Sequence, residues 1–146
     1  MNIQNKNIVI TGAANGIGHA LAKRMSEESP KSISLIDINS SLKEVAGSLN
    51  AESYIVDVSN EHDFQTVLKD IINKNGSIDL FCSNAGIQQF GTLETSTLDW
   101  QKNWDVNVMS HIYAAKVLIP HMKKLGSGYL LLTVSAAGLL NMPGAI

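Results

Sequence analysis

The sequence predicts an α/β fold built on a doubly wound parallel sheet, and three observations carry that prediction. Short apolar runs alternate with amphipathic helical patterns along the whole chain. Each run is apolar at nearly every position, as strands covered on both faces are. The first run, Ile8-Val9-Ile10-Thr11, empties into a turn with Gly12, Gly16 and Gly18 before a helix begins.

In chain order, Asn7 to Thr11 reads as the first strand, and Ile17, Leu21 and Met25 follow at helical spacing until Ser29-Pro30 stops them. A second strand covers Ile33 to Ile38, with Asn39-Ser40-Ser41 as a cap and a short helix to about Leu49. The third strand runs from Ser53 to Val58. Ser59 or Asn60 then caps the clearest amphipathic helix, with Phe64, Val67, Leu68, Ile71 and Ile72 on one face. After Asn75-Gly76 comes a fourth strand, Ile78 to Ser83, then a loop from Asn84 to Thr97.

One long helix is predicted from about Leu98 to Lys124. Val108, Ile112, Ala115 and Ile119 form one apolar stripe on it, and Met109, Tyr113 and Val117 another. Two buried faces suggest packing on the sheet and on a partner helix or subunit. Pro120 removes one backbone donor from its last turns. The fifth strand, Tyr129 to Val134, is almost wholly apolar, which predicts a central position covered on both sides. Right-handed crossovers between such strands give the doubly wound class.

At 146 residues and 45% hydrophobic, the chain is one domain with a sizeable core. Its 11 basic and 13 acidic residues nearly cancel and are scattered, so no nucleic-acid or membrane-surface footprint is visible. Cys82 is the only cysteine, which excludes internal disulfides and reads as a buried thiol in a reducing compartment. The four histidines, His19, His62, His111 and His121, share no metal-ligand spacing, so no metal site is expected. Without an apolar leader or an apolar run of spanning length, the expected location is the cytosol.

The glycine turn carries the first chemical signal. A helix opening at Gly16 to Gly18 points unsatisfied amides and its positive dipole end at the turn, which makes an anion site suited to a pyrophosphate. Gly12 permits the sharp exit from the strand, Gly16 lets the backbone approach a ligand, and Gly18 lets the helix pack closely. Asn15 and Ile17 complete this cofactor-facing segment. Close packing alone also produces glycine-rich turns. Asp37 ends the second strand 19 residues after Gly18, where a carboxylate can accept hydrogen bonds from an adenosine ribose diol. With no Arg or Lys at Ala13, Ala14, Asn15 or Ile38, a 2′-phosphate would be repelled, which favours NAD over NADP. Asp37 is also placed to cap the following helix.

Together Thr11-Gly12-x-x-x-Gly16-x-Gly18, Asp57-Val58, Asn84-Ala85-Gly86, Asn107 and Ser135 resemble the short-chain dehydrogenase/reductases, from the first strand onward and in order. The resemblance implies a Rossmann-like domain and an NAD(P)-dependent oxidoreductase acting on a small alcohol or carbonyl substrate. Asp57 and Val58 would then flank the adenine, and Asn84, Ala85 and Gly86 would run beside the cofactor. Asn107 would order a proton-relay water through the helix backbone, and Ser135 would hydrogen-bond the substrate oxygen. In this family a tyrosine, with a lysine four positions on, exchanges the proton. That tyrosine lies about thirteen residues after the serine, beyond Ile146. Tyr54 and Tyr129 have no lysine four positions on, and Tyr113 has Lys116 only three on.

The expected domain, residues 1–146, is therefore incomplete at its C-terminal end and truncated after the fifth strand, with Tyr129 to Val134 an exposed apolar edge. Ile87, Gln88, Gln89 and Phe90, with Leu139, Leu140 and Met142, would line a mainly apolar substrate pocket. The long helix, 98–124, would support a homo-oligomer, as it commonly does in relatives. A non-catalytic dinucleotide-binding or interaction module is the alternative reading, and a structural half-domain that binds nothing is a third.

Overall fold

The computed structural model describes residues 2–136 and 144. Five parallel strands form one sheet: β1 (Asn7–Thr11), β2 (Ser32–Asp37), β3 (Glu52–Ile55), β4 (Leu80–Ser83) and β5 (Tyr129–Leu132). Their order is β3-β2-β1-β4-β5. The helices are α1 (Gly16–Ser26), α2 (Leu42–Ser48), α3 (Glu61–Asn75), α4 (Thr97–Trp104) and α5 (Ser110–Leu125), with a π-helical turn, Asp105–Met109, joining the last two.

Alternation along each strand sorts apolar side chains into two layers. Ile8, Ile10 and Leu35 face one way and meet Ala22 of α1 with Leu42 and Ala46 of α2. Val9, Ile36 and Phe81 face the other and pack on Phe64, Leu68 and Ile71 of α3 and Ala114 and Leu118 of α5. Because both faces of β1 are covered, none of its five residues is exposed, which is why the run lacks polar alternation. The doubly wound prediction is met, and the sheet has its switch point at β1, which pairs with β2 on one side and β4 on the other. In such sheets the cleft for a ligand opens at the carboxyl ends of the strands beside that point.

Two elements depart from expectation. β3 stops at Ile55: the Val56 amide makes a last bond to the Asp37 carbonyl at 3.0 Å, and Asp57 and Val58 turn across the carboxyl edge. The predicted single helix is broken by the π turn, where the Ser110 amide donates to the Asp105 carbonyl instead of that of Val106. The Val106 carbonyl instead accepts the Ser110 hydroxyl at 2.6 Å. The face of this segment against the sheet is Val106, Ser110, Ala114, Leu118 and Met122 rather than either predicted stripe. Small residues at 110 and 114 allow close approach, while Ile112 and Ile119 point outward. Of the two expectations for β5, a covered central strand and an exposed apolar edge, the described residues show the edge. Tyr129, Leu131, Leu132 and Val134 are exposed, Val134 at 79%.

Burial pushes the Cys82 thiol up to about 11, the behaviour of an inert core cysteine. Among the described residues no helix is long and apolar enough to cross a membrane.

Candidate functional site

The carboxyl ends of β1, β2 and β4 and the start of the segment after β3 enclose a cleft of about 400 Å³. Gly12, Asn15, Ile17, Asp37, Asp57, Val58, Asn84, Ala85 and Gly86 line it, so residues from four separate stretches meet there. Ile38, Val56, Ile87, Lys102, Val106 and Thr133 complete the lining and were not assigned to a cofactor from sequence. Two carboxylates and one lysine are the charged groups of this lining.

Each glycine of the turn has its own constraint. Gly12 (φ +67°) turns left-handed, and a Cβ on it would lie 2.8 Å from Ala85 Cα. Gly16 (φ +55°) also needs the left-handed region, yet a Cβ there meets nothing within 4 Å. Its face is open, as a ligand-approach position should be. Gly18 is the packing glycine: a Cβ on it would sit 2.1 Å from the Gly12 carbonyl oxygen. Asn15 precedes α1 without a side-chain cap, and the first turn holds no acidic residue. The amides at this helix end are therefore left for an anion.

Asp37 does not cap α2. Its Oδ2 accepts the Ala14 amide at 2.9 Å and its Oδ1 the Asn39 amide at 2.9 Å. The carboxylate thus ties the glycine turn to the end of β2 while still lining the cleft. Asp57 Oδ1 accepts both the amide (2.9 Å) and the hydroxyl (2.7 Å) of Ser59, closing a tight turn that holds Val58 in the wall.

A second set of hydrogen bonds joins β1 to β4. The buried Thr11 hydroxyl accepts the amides of Asn84 (2.9 Å) and Ala85 (3.0 Å). Asn84 Nδ2 donates to the Thr11 carbonyl at 3.2 Å, and Asn84 Oδ1 accepts the Thr133 hydroxyl at 2.9 Å. One side chain therefore joins the ends of β1, β4 and β5. The sequence placed Thr11 within the glycine motif but gave no sign of this clamp, because its partners are more than 70 residues away.

Asn107, in the π turn, holds the next piece of wall. Its Oδ1 accepts the Ile87 amide at 2.9 Å and its Nδ2 donates to the Ile87 carbonyl at 2.9 Å, with a further bond to Asn103 at 2.8 Å. Ser135 lies exposed three residues past β5, on the edge where the cleft opens. Of the expected apolar substrate pocket, Ile87 lines this cleft and Phe90 is 68% exposed, while Leu139, Leu140 and Met142 lie outside the described residues.

This site has the glycine turn and strand-end carboxylate of a Rossmann-like α/β fold. The short chain dehydrogenase family model matches residues 6–146, and the chain belongs to that family. Meso-2,3-butanediol dehydrogenase from Serratia marcescens is 34% identical over 143 residues, 95% of this chain and 57% of that protein. Human estradiol 17-beta-dehydrogenase 11 is 30% identical over 93% of this chain and 47% of its own length. The chain thus spans about half the length of these curated relatives. Among solved structures, a Burkholderia phymatum short-chain dehydrogenase/reductase in complex with NAD matches with a TM-score of 0.92 at 31% identity. It covers 99% of this chain and 54% of that one. An NAD+-bound xylitol dehydrogenase matches with a TM-score of 0.89 at 27% identity, over 99% of this chain and 58% of that one.

Proposed function

We propose that these residues form the NAD(H)-binding part of an oxidoreductase that interconverts an alcohol and its carbonyl. They bind the cofactor without turning substrate over by themselves. The observation that carries the reading is Asp37 facing the cleft beside an uncapped, glycine-lined helix end. The cleft fits a dinucleotide: open backbone at Gly16, a carboxylate at the end of β2, and apolar Ile38, Val58 and Val106 for a flat ring.

In this reading the amides of α1 bind the pyrophosphate, and Asp37 accepts hydrogen bonds from the ribose hydroxyls. Asp57 and Val58 flank the adenine, while Asn84, Ala85 and Gly86 form the floor beside the nicotinamide end. A bound nicotinamide supplies the hydride chemistry. Ser135 donates a hydrogen bond to the substrate oxygen, and the Asn107 backbone orders a relay water. The proton exchange needs a phenol with a lysine four residues on, which none of Tyr54, Tyr113 and Tyr129 has. The named relatives act on a diol, a steroid and, for the structure, a polyol. An alcohol function is what they share.

NADH fluorescence titration tests the binding half of this reading. NADH should bind more tightly than NADPH, and Asp37→Ala should weaken NADH by about 10- to 100-fold, the range for a lost charged hydrogen bond, while narrowing the preference. Tighter binding of NADPH, or an Asp37→Ala variant indistinguishable from the parent, would overturn it. An absorbance assay for NADH formation across a panel of alcohols should show no turnover. Self-association through α4 and α5 belongs to the same proposal, supported by the exposed Trp100, Trp104, Ile112 and Ile119.

A further inference from the structure

We infer that His111 is a positioning residue for the cleft wall: anchored on Ser83 at the end of β4, it fixes the helical segment that carries Asn107 and, through the Asn107 side chain, the main chain of Ile87. Neither His111 nor Ser83 lines the cleft. Of the residues in this chain of contacts, Ile87 is the one that lines the cleft.

The links are all short. Ser83 is 4% exposed, and its Oγ lies 2.6 Å from His111 Nδ1. His111 follows Asn107 by one turn of the same continuous helical segment, so fixing the ring on β4 fixes the turn that carries Asn107. The Asn107 side chain in turn grips both polar groups of Ile87, each at 2.9 Å. An ordinary α-helix would need no such brace. Here the π turn shifts the ladder: the Ser110 hydroxyl takes up the Val106 carbonyl, and the His111 ring ties the next residue to β4. Anchoring on buried Ser83 gives the ring a fixed reference in the sheet, so the π turn and the wall it carries are held relative to β4.

The test uses the whole chain with His111→Leu, His111→Asn and Ser83→Ala. Amide exchange at Ile87 is followed by NMR, with Val9 and Ile10 in β1 as reference for global opening. NADH affinity is measured alongside, and this second readout rests on the cofactor reading above. His111→Leu should speed exchange at Ile87 relative to β1 and weaken NADH, each by about tenfold, the effect of one ordinary hydrogen bond. His111→Asn, whose amide places a polar atom near the Nδ1 position and can keep the bond to the Ser83 hydroxyl, should restore both to within about threefold. Ser83→Ala should fall between. Unchanged Ile87 exchange in His111→Leu, or equal effects of leucine and asparagine, would overturn the inference. Should His111→Leu not fold, unchanged Ile87 exchange in Ser83→Ala overturns it instead. If the parent does not bind NADH, the cofactor reading fails while the exchange comparison still decides the role of His111.

Discussion

Gly18→Ala and Gly47→Ala make the same chemical change in two helices and should move stability in opposite directions. Alanine in a helix interior is favoured over glycine by roughly 0.5–1 kcal/mol. At Gly47, exposed in α2 with nothing within 4 Å of the added methyl, that gain stands alone. At Gly18 the methyl would lie 2.1 Å from the Gly12 oxygen and 2.7 Å from Asn84 Nδ2. The first is backbone, and the second is held by its bond to the Thr11 carbonyl, so relief requires α1 to back away from the turn. Overpacking of this kind costs about 1–3 kcal/mol, leaving Gly18→Ala about 1–2 kcal/mol less stable than the parent. At about 4 °C per kcal/mol for a domain of this size, thermal melts should place the two variants roughly 6–12 °C apart. Urea titrations should give the same order, and NADH affinity should fall only for Gly18→Ala. If both variants melt above the parent, the packing role given to Gly18 is wrong.

Thr11→Val keeps the shape but removes the acceptor for the amides of Asn84 and Ala85, so stability should drop by about 2–4 kcal/mol. Thr11→Ser should recover most of it in the same urea titration. His111 gives a pH dependence of definite sign. Burial, the largest cause, lowers its pKa below the ordinary 6.5, against a smaller opposing effect of the Asn107 backbone. The unfolded chain then binds the proton first, so the stability present above about pH 6.5 is lost as pH falls from there through the lowered folded value. Urea midpoints at pH 7.5 and 5.5 should differ less in His111→Asn than in the parent; an equal difference would refute the assignment.

Much of the scaffold was legible because its signals are local. The apolar run of β1, the cap of α3 at Asn60, whose side chain accepts the Asp63 amide, and the glycine stop at Gly76 each act within a few residues. The cleft was legible as a set of residues but not as a mechanism of support. Asp37 stood out by its place after β2, yet its bond to the Ala14 amide depends on how the strands pair. The early end of β3 was hidden because Val56 and Val58 continue the apolar pattern beyond the ladder. The π turn left no trace in hydrophobic spacing. Its brace is a hydrogen bond between Ser83 and His111, 28 residues apart. For β5 the composition suggested a covered strand and the strand count an exposed edge, and the edge is what its neighbours in the sheet leave.

The reach of Asn84 across three strand ends also bears on the order of assembly. Its bonds to Thr11 and Thr133 span 73 and 49 residues, so the first waits on β1 meeting β4 and the second on β5 joining β4, and the full set only on all three in register. Closing loops of that length is among the slower and entropically costlier events in folding. The strand, turn and helix at the N-terminus can come together early, but the floor of the cleft is completed only with the sheet. Ligand affinity should therefore report on the integrity of the whole sheet: a substitution far from the cleft that loosens strand pairing would weaken binding without touching a single residue of its lining.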